Sequence, residues 1–239
     1  MRELALFAGA GGGLLASRLL GWTTVCACEI DPYARSVLLA RQRDGHLERF
    51  PVWDDIRTFD GRSWCGAVDV VSGGFPCQAF SSAARGRNTA PDLWPQMRRV
   101  VSEVRPRYVF AENVQEQPIR HAAVQLTEDG YGCRLARVCA SDLAGVHCRK
   151  RWWLVGDAYG NRESVGSEHV EASRVPGAAT SVWARDPRER LRVPDGVAYR
   201  VDRVRAAGNG QVPAVAAFAW EILMERAAAT GGEGADDAE

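Results

Sequence analysis

A cysteine on a segment rich in glycine and proline is the side chain best suited to nucleophilic chemistry in this sequence. Residues 73–81, Gly-Gly-Phe-Pro-Cys-Gln-Ala-Phe-Ser, follow an apolar run that is typical of a buried strand. Cys77 is therefore expected on a loop at the end of that strand, where the preceding proline stiffens the chain and removes a backbone donor. A lone cysteine is more often a small buried hydrophobe, but packing explains this setting poorly. We predict that Cys77 acts as a thiolate nucleophile.

A carboxylate and a basic run supply the partners that such a nucleophile needs. Glu112 ends the next predicted strand, in the tripeptide Glu-Asn-Val, and would lie beside Cys77 in a parallel sheet. A buried acid at that point can hold or donate a proton during attack. Residues 147–151, His-Cys-Arg-Lys-Arg, enter the last predicted strand and contribute Arg149 and Arg151. The alternative interpretation of this run is a solvated patch of charge.

Three features at successive strand ends predict a nucleotide-like ligand. Residues 7–13, Phe-Ala-Gly-Ala-Gly-Gly-Gly, connect a strand to a helix, where glycines let the backbone approach a ligand closely. Glu29 ends the next strand, and an acid there can accept hydrogen bonds from both ribose hydroxyls. Residues 55–56, Asp-Ile, would meet an adenine edge. Each feature taken alone could equally be a surface acid or a helix-capping residue. Three such features at one sheet edge favour a binding site.

Alternating strands and helices over residues 1–156 are the elements that must position these side chains. The alternation favours an open, mostly parallel sheet covered by helices, with ligands at the carboxyl ends of the strands. Residues 157–195 are polar, have no sustained period, and predict a short variable segment or very small lobe. Residues 196–230 return to the main domain and end in a helix over 212–229, and residues 231–239 are expected to be a disordered acidic tail. Strands are predicted at residues 4–7, 23–28, 67–72, 108–111 and 151–156, and helices at 14–20, from Pro32 and over 93–104.

Composition narrows the class of protein. The chain is 46% hydrophobic and 25% charged, which is an ordinary globular balance. No apolar run approaches the roughly 20 residues of a membrane span, and no secretory leader is expected. Equal numbers of basic and acidic residues, 30 of each, argue against a protein that binds polyanions regardless of sequence. Seven cysteines and four histidines without metal-ligand spacing predict free thiols in a reducing cytoplasm and no metal site.

Taken together, these segments resemble the DNA cytosine-C5 methyltransferases, which use S-adenosylmethionine. Residues 7–12 resemble the cofactor loop of that family, residues 73–81 its catalytic loop, and residues 112–114 its Glu-Asn-Val element. Residues 208–213, Gly-Asn-Gly-Gln-Val-Pro, resemble its closing segment, and the order along the chain is the same. The resemblance implies an α/β, Rossmann-like fold of S-adenosylmethionine-dependent methyltransferases, with a mostly parallel sheet flanked by helices and a small irregular recognition lobe.

The resemblance also implies roles for individual residues. Cys77 would attack C6 of a flipped cytosine, Glu112 would assist at N3, Arg151 would hold O2 and Arg149 a phosphate. S-adenosylmethionine would lie across the strand ends and leave as S-adenosylhomocysteine, without any metal. The residues expected to bind it are Phe7, Ala8, Gly9, Gly11, Gly12, Glu29, Ile30, Asp55, Ile56, Pro76, Leu93 and Asn209. The residues expected to contact DNA are Gln78, Ser81, Arg85, Arg87, Arg185 and Arg203.

Two departures from the family pattern affect what is expected. His147 stands where the family usually has glutamine, so the role of that glutamine is not carried over. The segment at residues 157–195 is much shorter than a usual target-recognition domain, which predicts a degenerate target or one of about two to four base pairs.

The expected partners are double-stranded DNA and, in a restriction-modification system, a cognate nuclease. The chain is expected to act as a monomer in the cytoplasm, encoded by a bacterium or a phage. Three alternatives remain open: an RNA cytosine methyltransferase, an inactive or partner-dependent DNA-binding homologue, and an NAD oxidoreductase. The RNA-acting relatives usually carry Pro-Pro-Cys-Gln rather than Phe-Pro-Cys-Gln, and an oxidoreductase leaves Cys77 and Asn209 unexplained.

Overall fold

A seven-stranded sheet organises the computed structural model, which describes residues 1–76, 92–143, 149–160, 202 and 210–231, with side chains to residue 225. The strand order is β3-β2-β1-β4-β5-β7-β6. The strands are β1 Arg2–Leu6, β2 Thr23–Cys28, β3 Val52–Trp53, β4 Val70–Gly74, β5 Tyr108–Asn113, β6 Gly132–Cys139 and β7 Lys150–Asp157. The helices are α1 Gly12–Leu19, α2 Pro32–Arg43, α3 Trp94–Val104, α4 Glu116–Glu128 and α5 Pro213–Gly231.

The mostly parallel sheet predicted from the sequence is confirmed. The pairs β1–β2, β1–β4, β2–β3 and β4–β5 are parallel. In contrast, β7 runs antiparallel between β5 and β6. The strands β3 and β6 and the helix α4 are not among the elements predicted from the sequence. The two-residue β3 is too short to leave a pattern, and β6 with β7 forms an antiparallel pair that strand–helix alternation does not anticipate.

Local sequence explains where the helices begin and which face they bury. The α2 helix starts at Asp31, whose Oδ1 accepts hydrogen bonds from the backbone N–H groups of Tyr33 (2.8 Å) and Ala34 (3.1 Å). Pro32 fills the first helical position, where its missing N–H has no intrahelical partner to lose. In α3 the buried residues recur at helical spacing, which directs one apolar face onto the sheet. They are Trp94, Met97, Val100, Val101 and Val104.

Aromatic rings fix α5 against the second face of the sheet, opposite the face where α3 and α4 pack. Phe110 of β5 stacks on Trp153 of β7 with ring centroids 5.2 Å apart. Trp220 of α5 meets Phe110 edge-on at 5.4 Å and Trp22 at 4.6 Å. These contacts hold the first turn of α5 near the carboxyl end of β5. None of the helices among the described residues is long and apolar enough to cross a membrane.

Candidate active site

The parallel register of β4 and β5 sets the position of the candidate catalytic loop. Gly74 pairs with Glu112, so the chain leaves β4 directly beside that carboxyl group. The Asn113 side chain donates from Nδ2 to the Phe75 carbonyl oxygen at 2.9 Å. The Pro76 carbonyl in turn accepts a hydrogen bond from the backbone N–H of Leu93 at 3.2 Å. Pro76 and Leu93 are therefore held together, and Phe75 is held to Asn113, the residue after Glu112. Cys77 itself lies outside the described residues.

Glu112 is a buried carboxyl group, only 6% exposed, in close contact with an arginine. Glu112 pairs with Trp153 across the antiparallel β5–β7 ladder. Arg151 lies two residues before Trp153, so its side chain projects from the same face of β7 as that of Trp153. Arg151 Nε lies 2.8 Å from Glu112 Oε1. Oε1 nevertheless has no aligned hydrogen-bond donor within the described part of the chain, so this contact is an ion pair rather than a directed hydrogen bond.

Burial decides the protonation behaviour of this carboxyl group. Loss of solvent raises the pKa of Glu112, and this effect outweighs the nearby charges of Arg151 and Arg149 and a hydrogen bond from Gln211, which lower it. A carboxyl group in this setting retains its proton to higher pH than a surface glutamate. Glu112 is thus suited to donate a hydrogen bond or a proton to a group that gains negative charge.

Arg149 is partly buried at the entrance to β7. Its Nη2 donates to the Gly210 carbonyl oxygen at 2.5 Å, which ties β7 to the segment that precedes α5. Burial first, and then the neighbouring charge of Arg151, lower the pKa of the Arg149 guanidinium, while Glu112 raises it. In this structure Arg149 therefore fixes the chain at Gly210.

The glycine loop and Glu29 form one connected structure at the ends of β1 and β2. The backbone N–H of Gly9 donates to Glu29 Oε2 at 2.6 Å, and that of Asp31 donates to Oε1 at 2.8 Å. Phe7 adopts a φ of 53°, a left-handed conformation that is strained for a residue other than glycine and is concentrated at functional sites. Apart from its chain neighbours, no described residue has an atom within 4 Å of the position that a Cβ on Gly9 would take, so the described part of the chain leaves this side of the loop open.

Exposed apolar side chains lie at the same edge as Glu29. Ile30, just after β2, is 54% exposed, and Trp53, which pairs with Cys28, is 45% exposed. Ile56 is buried in the core, and the Asp55 carboxylate is held by Arg57, whose Nη2 lies 2.6 Å from Oδ2. A backbone loop, a carboxylate and exposed apolar surface at one sheet edge fit an adenosine-containing cofactor. The sequence analysis missed Trp53 because β3 is so short.

Replacing Glu29 with alanine is expected to raise the cofactor Kd about 10- to 100-fold, because hydrogen bonds to a charged group contribute about 1.5–3 kcal/mol. The same change also removes the acceptor that anchors Gly9. Calorimetric titration with S-adenosylhomocysteine measures the effect. The exposed Glu48→Ala variant serves as the matched control and should bind as the parent does. Unchanged affinity in Glu29→Ala would contradict the ribose assignment.

Gln211 is a residue of the site that the sequence analysis quoted without giving it a role. From the segment before α5, its side-chain amide shares the space over Gly74 with the Glu112 carboxyl group and lowers the pKa of that group by hydrogen bonding. The only sequence signal was its place in the closing segment, two residues after Asn209. Asn209 and all the expected DNA contacts lie outside the described residues, as does most of the predicted recognition segment. Those contacts are Gln78, Ser81, Arg85, Arg87, Arg185 and Arg203.

Cys26, Cys28, Cys65 and Cys133 are free thiols, and Cys139 Sγ accepts a hydrogen bond from the Ser141 hydroxyl group at 3.0 Å. Burial raises the pKa of Cys28 to about 12 and that of Cys133 to about 11, so these thiols stay protonated and are poor nucleophiles. Among the residues that the structure describes, no three His, Cys, Asp or Glu side chains come together as metal ligands would.

Comparison with known proteins gives matches to one family. A family model described as C-5 cytosine-specific DNA methylase matches residues 1–197. The Type II methyltransferase M.NgoMIV from Neisseria gonorrhoeae is 30% identical over 158 residues, which cover 62% of this chain and 49% of that protein. The Type II methyltransferase M.PspPI from Psychrobacter sp. is 37% identical over 112 residues, covering 46% of this chain and 26% of that protein. The chain thus spans about half the length of the first of these relatives and about a quarter of the second.

Among solved structures, a crystal structure described as a DNA modification methyltransferase encoded within an E. coli prophage superposes with a TM-score of 0.52. It is 29% identical in sequence, and the match covers 66% of this chain and 46% of that one. The Rossmann-like methyltransferase architecture expected from the sequence is confirmed by this likeness and by the sheet order.

Proposed function

Because the chain belongs to the C-5 cytosine-specific DNA methylase family, we propose that it transfers a methyl group from S-adenosylmethionine to C5 of cytosine in double-stranded DNA. The observation that carries this proposal is the buried Glu112 carboxyl group, paired with Arg151 and placed where the chain leaves β4 toward Cys77. A buried acid beside a thiol-bearing loop suits addition to an electron-poor ring.

The proposed chemistry begins with the thiolate of Cys77, which attacks C6 of cytosine and forms an S–C6 bond. This addition places electron density on C5, and so divides one difficult substitution into easier steps. Negative charge that develops at N3 is neutralised by the proton of Glu112, while Arg151 holds O2. After C5 is methylated, the C5 proton passes to water, the electrons of the C5–H bond form the C5–C6 double bond, and the S–C6 bond breaks to regenerate the thiolate. The proton on N3 returns to Glu112.

The cofactor is proposed to lie over the glycine loop, with its ribose on Glu29 and its adenine against Ile30. When bound, S-adenosylmethionine supplies the electrophilic methyl group, and the site needs no metal. Phe7, Asp55, Leu93 and the other residues expected from the family pattern would complete this pocket.

The proposed reaction also requires access to the target base and recognition of its sequence. A cytosine within a duplex cannot reach a buried site, so the target base is proposed to flip out of the helix. The target is proposed to be short because residues 157–195 offer few base contacts. We also predict that the chain acts as a monomer in the cytoplasm, that a bacterium or a phage encodes it, and that a cognate restriction nuclease accompanies it.

Base-resolution cytosine sequencing tests the proposed function directly. DNA from cells that lack 5-methylcytosine is compared after expression of the parent chain or of Cys77→Ser. The expected result is methylation in one short context, with the parent chain only. No methylation by a folded chain that binds the cofactor would contradict the proposal and favour an RNA substrate or a missing partner. A defined six-base-pair target would contradict the short-target prediction alone.

A further inference from the structure

We propose that Gln211 is a positioning residue for the reaction: its side-chain amide holds one oxygen of the Glu112 carboxyl group and leaves the other oxygen to carry the proton. This inference rests on the proposed methyl transfer, because it assigns a task to a residue outside the proposed catalytic set. Gln211 acts through Glu112, and no direct contact with substrate is needed.

The contact between Gln211 and Glu112 lies over Gly74. A Cβ on Gly74 would come within 2.6 Å of Glu112 Oε2 and 3.2 Å of Gln211 Nε2, so these two atoms share the space above that glycine. Hydrogen bonding from the Gln211 side chain lowers the pKa of Glu112, and the only donor of that side chain is Nε2, which lies with Glu112 Oε2 over Gly74. Among the described residues Oε1 has no aligned donor, and Oε2 is the oxygen nearer the Gln211 amide over Gly74, so we assign the Gln211 contact to Oε2. When Glu112 is neutral its proton is therefore placed on Oε1, and the contact of Oε1 with Arg151 is an ion pair only in the ionised state.

The direction of the Gln211 amide is set by its other end. Gln211 Oε1 lies next to Gly13, 2.8 Å from the position that a Cβ there would take. Gly13 belongs to the first turn of α1, where backbone N–H groups have no intrahelical acceptor and favour a partial negative charge. A reversed amide would instead set its carbonyl oxygen against the Glu112 carboxyl group. The surroundings therefore favour the orientation that donates to Glu112.

The backbone around Gln211 is clamped between two elements of the site. A Cβ on Gly12 would collide with the Gln211 carbonyl oxygen and lie 3.1 Å from its backbone nitrogen, so α1 begins in direct contact with this segment. On the other side, Arg149 donates to the Gly210 carbonyl oxygen. Residues 210–212 thus connect the cofactor loop, the start of β7 and Glu112.

Glu112 and Gln211 also line a partly open cavity of about 50 Å³ beside α1. A second buried carboxyl group, Glu3, shares this cavity and accepts hydrogen bonds from Ser17 (2.7 Å), Ser72 (2.6 Å) and Thr24 (2.8 Å). Within the described part of the chain, the charged groups near Glu112 are Arg151 and Arg149 from the β7 side and Glu3, which lines the same cavity. Since the hydrogen bond from Gln211 lowers the pKa of Glu112, its loss should raise that pKa.

Two variants of similar size separate positioning from packing. Gln211→Met keeps the side-chain volume but has no donor, and Gln211→Glu replaces the donor with an acid. If Gln211 positions Glu112, we expect methylation by Gln211→Met to slow about 10-fold. We also expect the alkaline limb of the pH–rate profile of this variant to move to higher pH by about 0.5–1 pH unit. The shift should be larger in Gln211→Glu, because a second carboxylate disfavours ionisation of Glu112. The exposed Gln117→Met variant is the matched control and should follow the parent profile.

Titration of the Glu112 side-chain carbon by NMR in the ligand-free protein gives a readout that does not depend on activity. A rise in the Glu112 pKa in the order parent, Gln211→Met, Gln211→Glu supports the proposal. Superimposable titrations and pH–rate profiles overturn it, even if the variants are slower or less stable. If the parent itself does not methylate DNA, the proposed function fails, while the titration still decides whether Gln211 controls Glu112.

Discussion

The Cys77→Ser variant is expected to lose methyl transfer by about 10⁴-fold or more, as removal of an enzymatic nucleophile generally does. Serine has nearly the same shape, but its hydroxyl group stays protonated near neutral pH, whereas a thiol needs only a modest fall in pKa to ionise. Cofactor binding and fold should be unchanged, because the change is confined to one atom. The rate is measured by incorporation of labelled methyl groups into duplex DNA.

A substrate that traps the covalent intermediate makes this test specific. Fluorine at C5 of cytosine cannot leave as a cation in place of the proton, so the S–C6 bond should persist in a complex that survives denaturation. The parent protein should form this complex, and Cys77→Ser should not. Cys65→Ser changes an exposed free thiol and is the matched control, expected to react as the parent does. Retained turnover in Cys77→Ser would remove Cys77 as the nucleophile.

The Glu112→Gln variant is expected to slow methylation by about 10²- to 10⁴-fold, the usual contribution of a positioned acid. Glutamine preserves the size of the side chain and can still donate a hydrogen bond from its amide, but it cannot deliver a proton to N3. Single-turnover rates measure the loss, with Glu116→Gln on the surface of α4 as the control that should stay near the parent rate. A Glu112→Gln rate close to that of the parent would count against proton transfer from this residue.

Stability of the same variant gives an independent check on the environment of Glu112. Burial raises the pKa of Glu112 above its value in the unfolded chain. The folded protein therefore binds this proton more tightly, and the stabilising contribution is complete below the unfolded pKa and is lost as pH rises through the folded pKa. The melting temperature of the parent, relative to Glu112→Gln, should accordingly fall over that range. Parallel pH dependences of the two proteins would show that the pKa is not raised.

Local patterns in the sequence were sufficient for most of the elements that carry the site. Apolar runs and the proline after Asp31 predicted β2 with its observed bounds and the start of α2. The placement of Glu112 beside the end of β4 also followed, because consecutive strands in an α/β alternation tend to be parallel neighbours. These features depend on residues close together in the chain, where side-chain periodicity and capping act directly.

Tertiary structure alone decided how the site is completed. The antiparallel insertion of β7 between β5 and β6 brings Arg151 onto the Glu112 carboxyl group, and strand–helix alternation carries no sign of that reversal. Gln211 reaches Glu112 because α5 packs its aromatic face on β5 and β7, which holds the segment before it against the glycines of α1. The sequence by itself determined the set of chemical groups and their order along the chain. The groups that contact one another in the site are far apart in the sequence. Only the packing of the two helical layers on the sheet determines which of them meet.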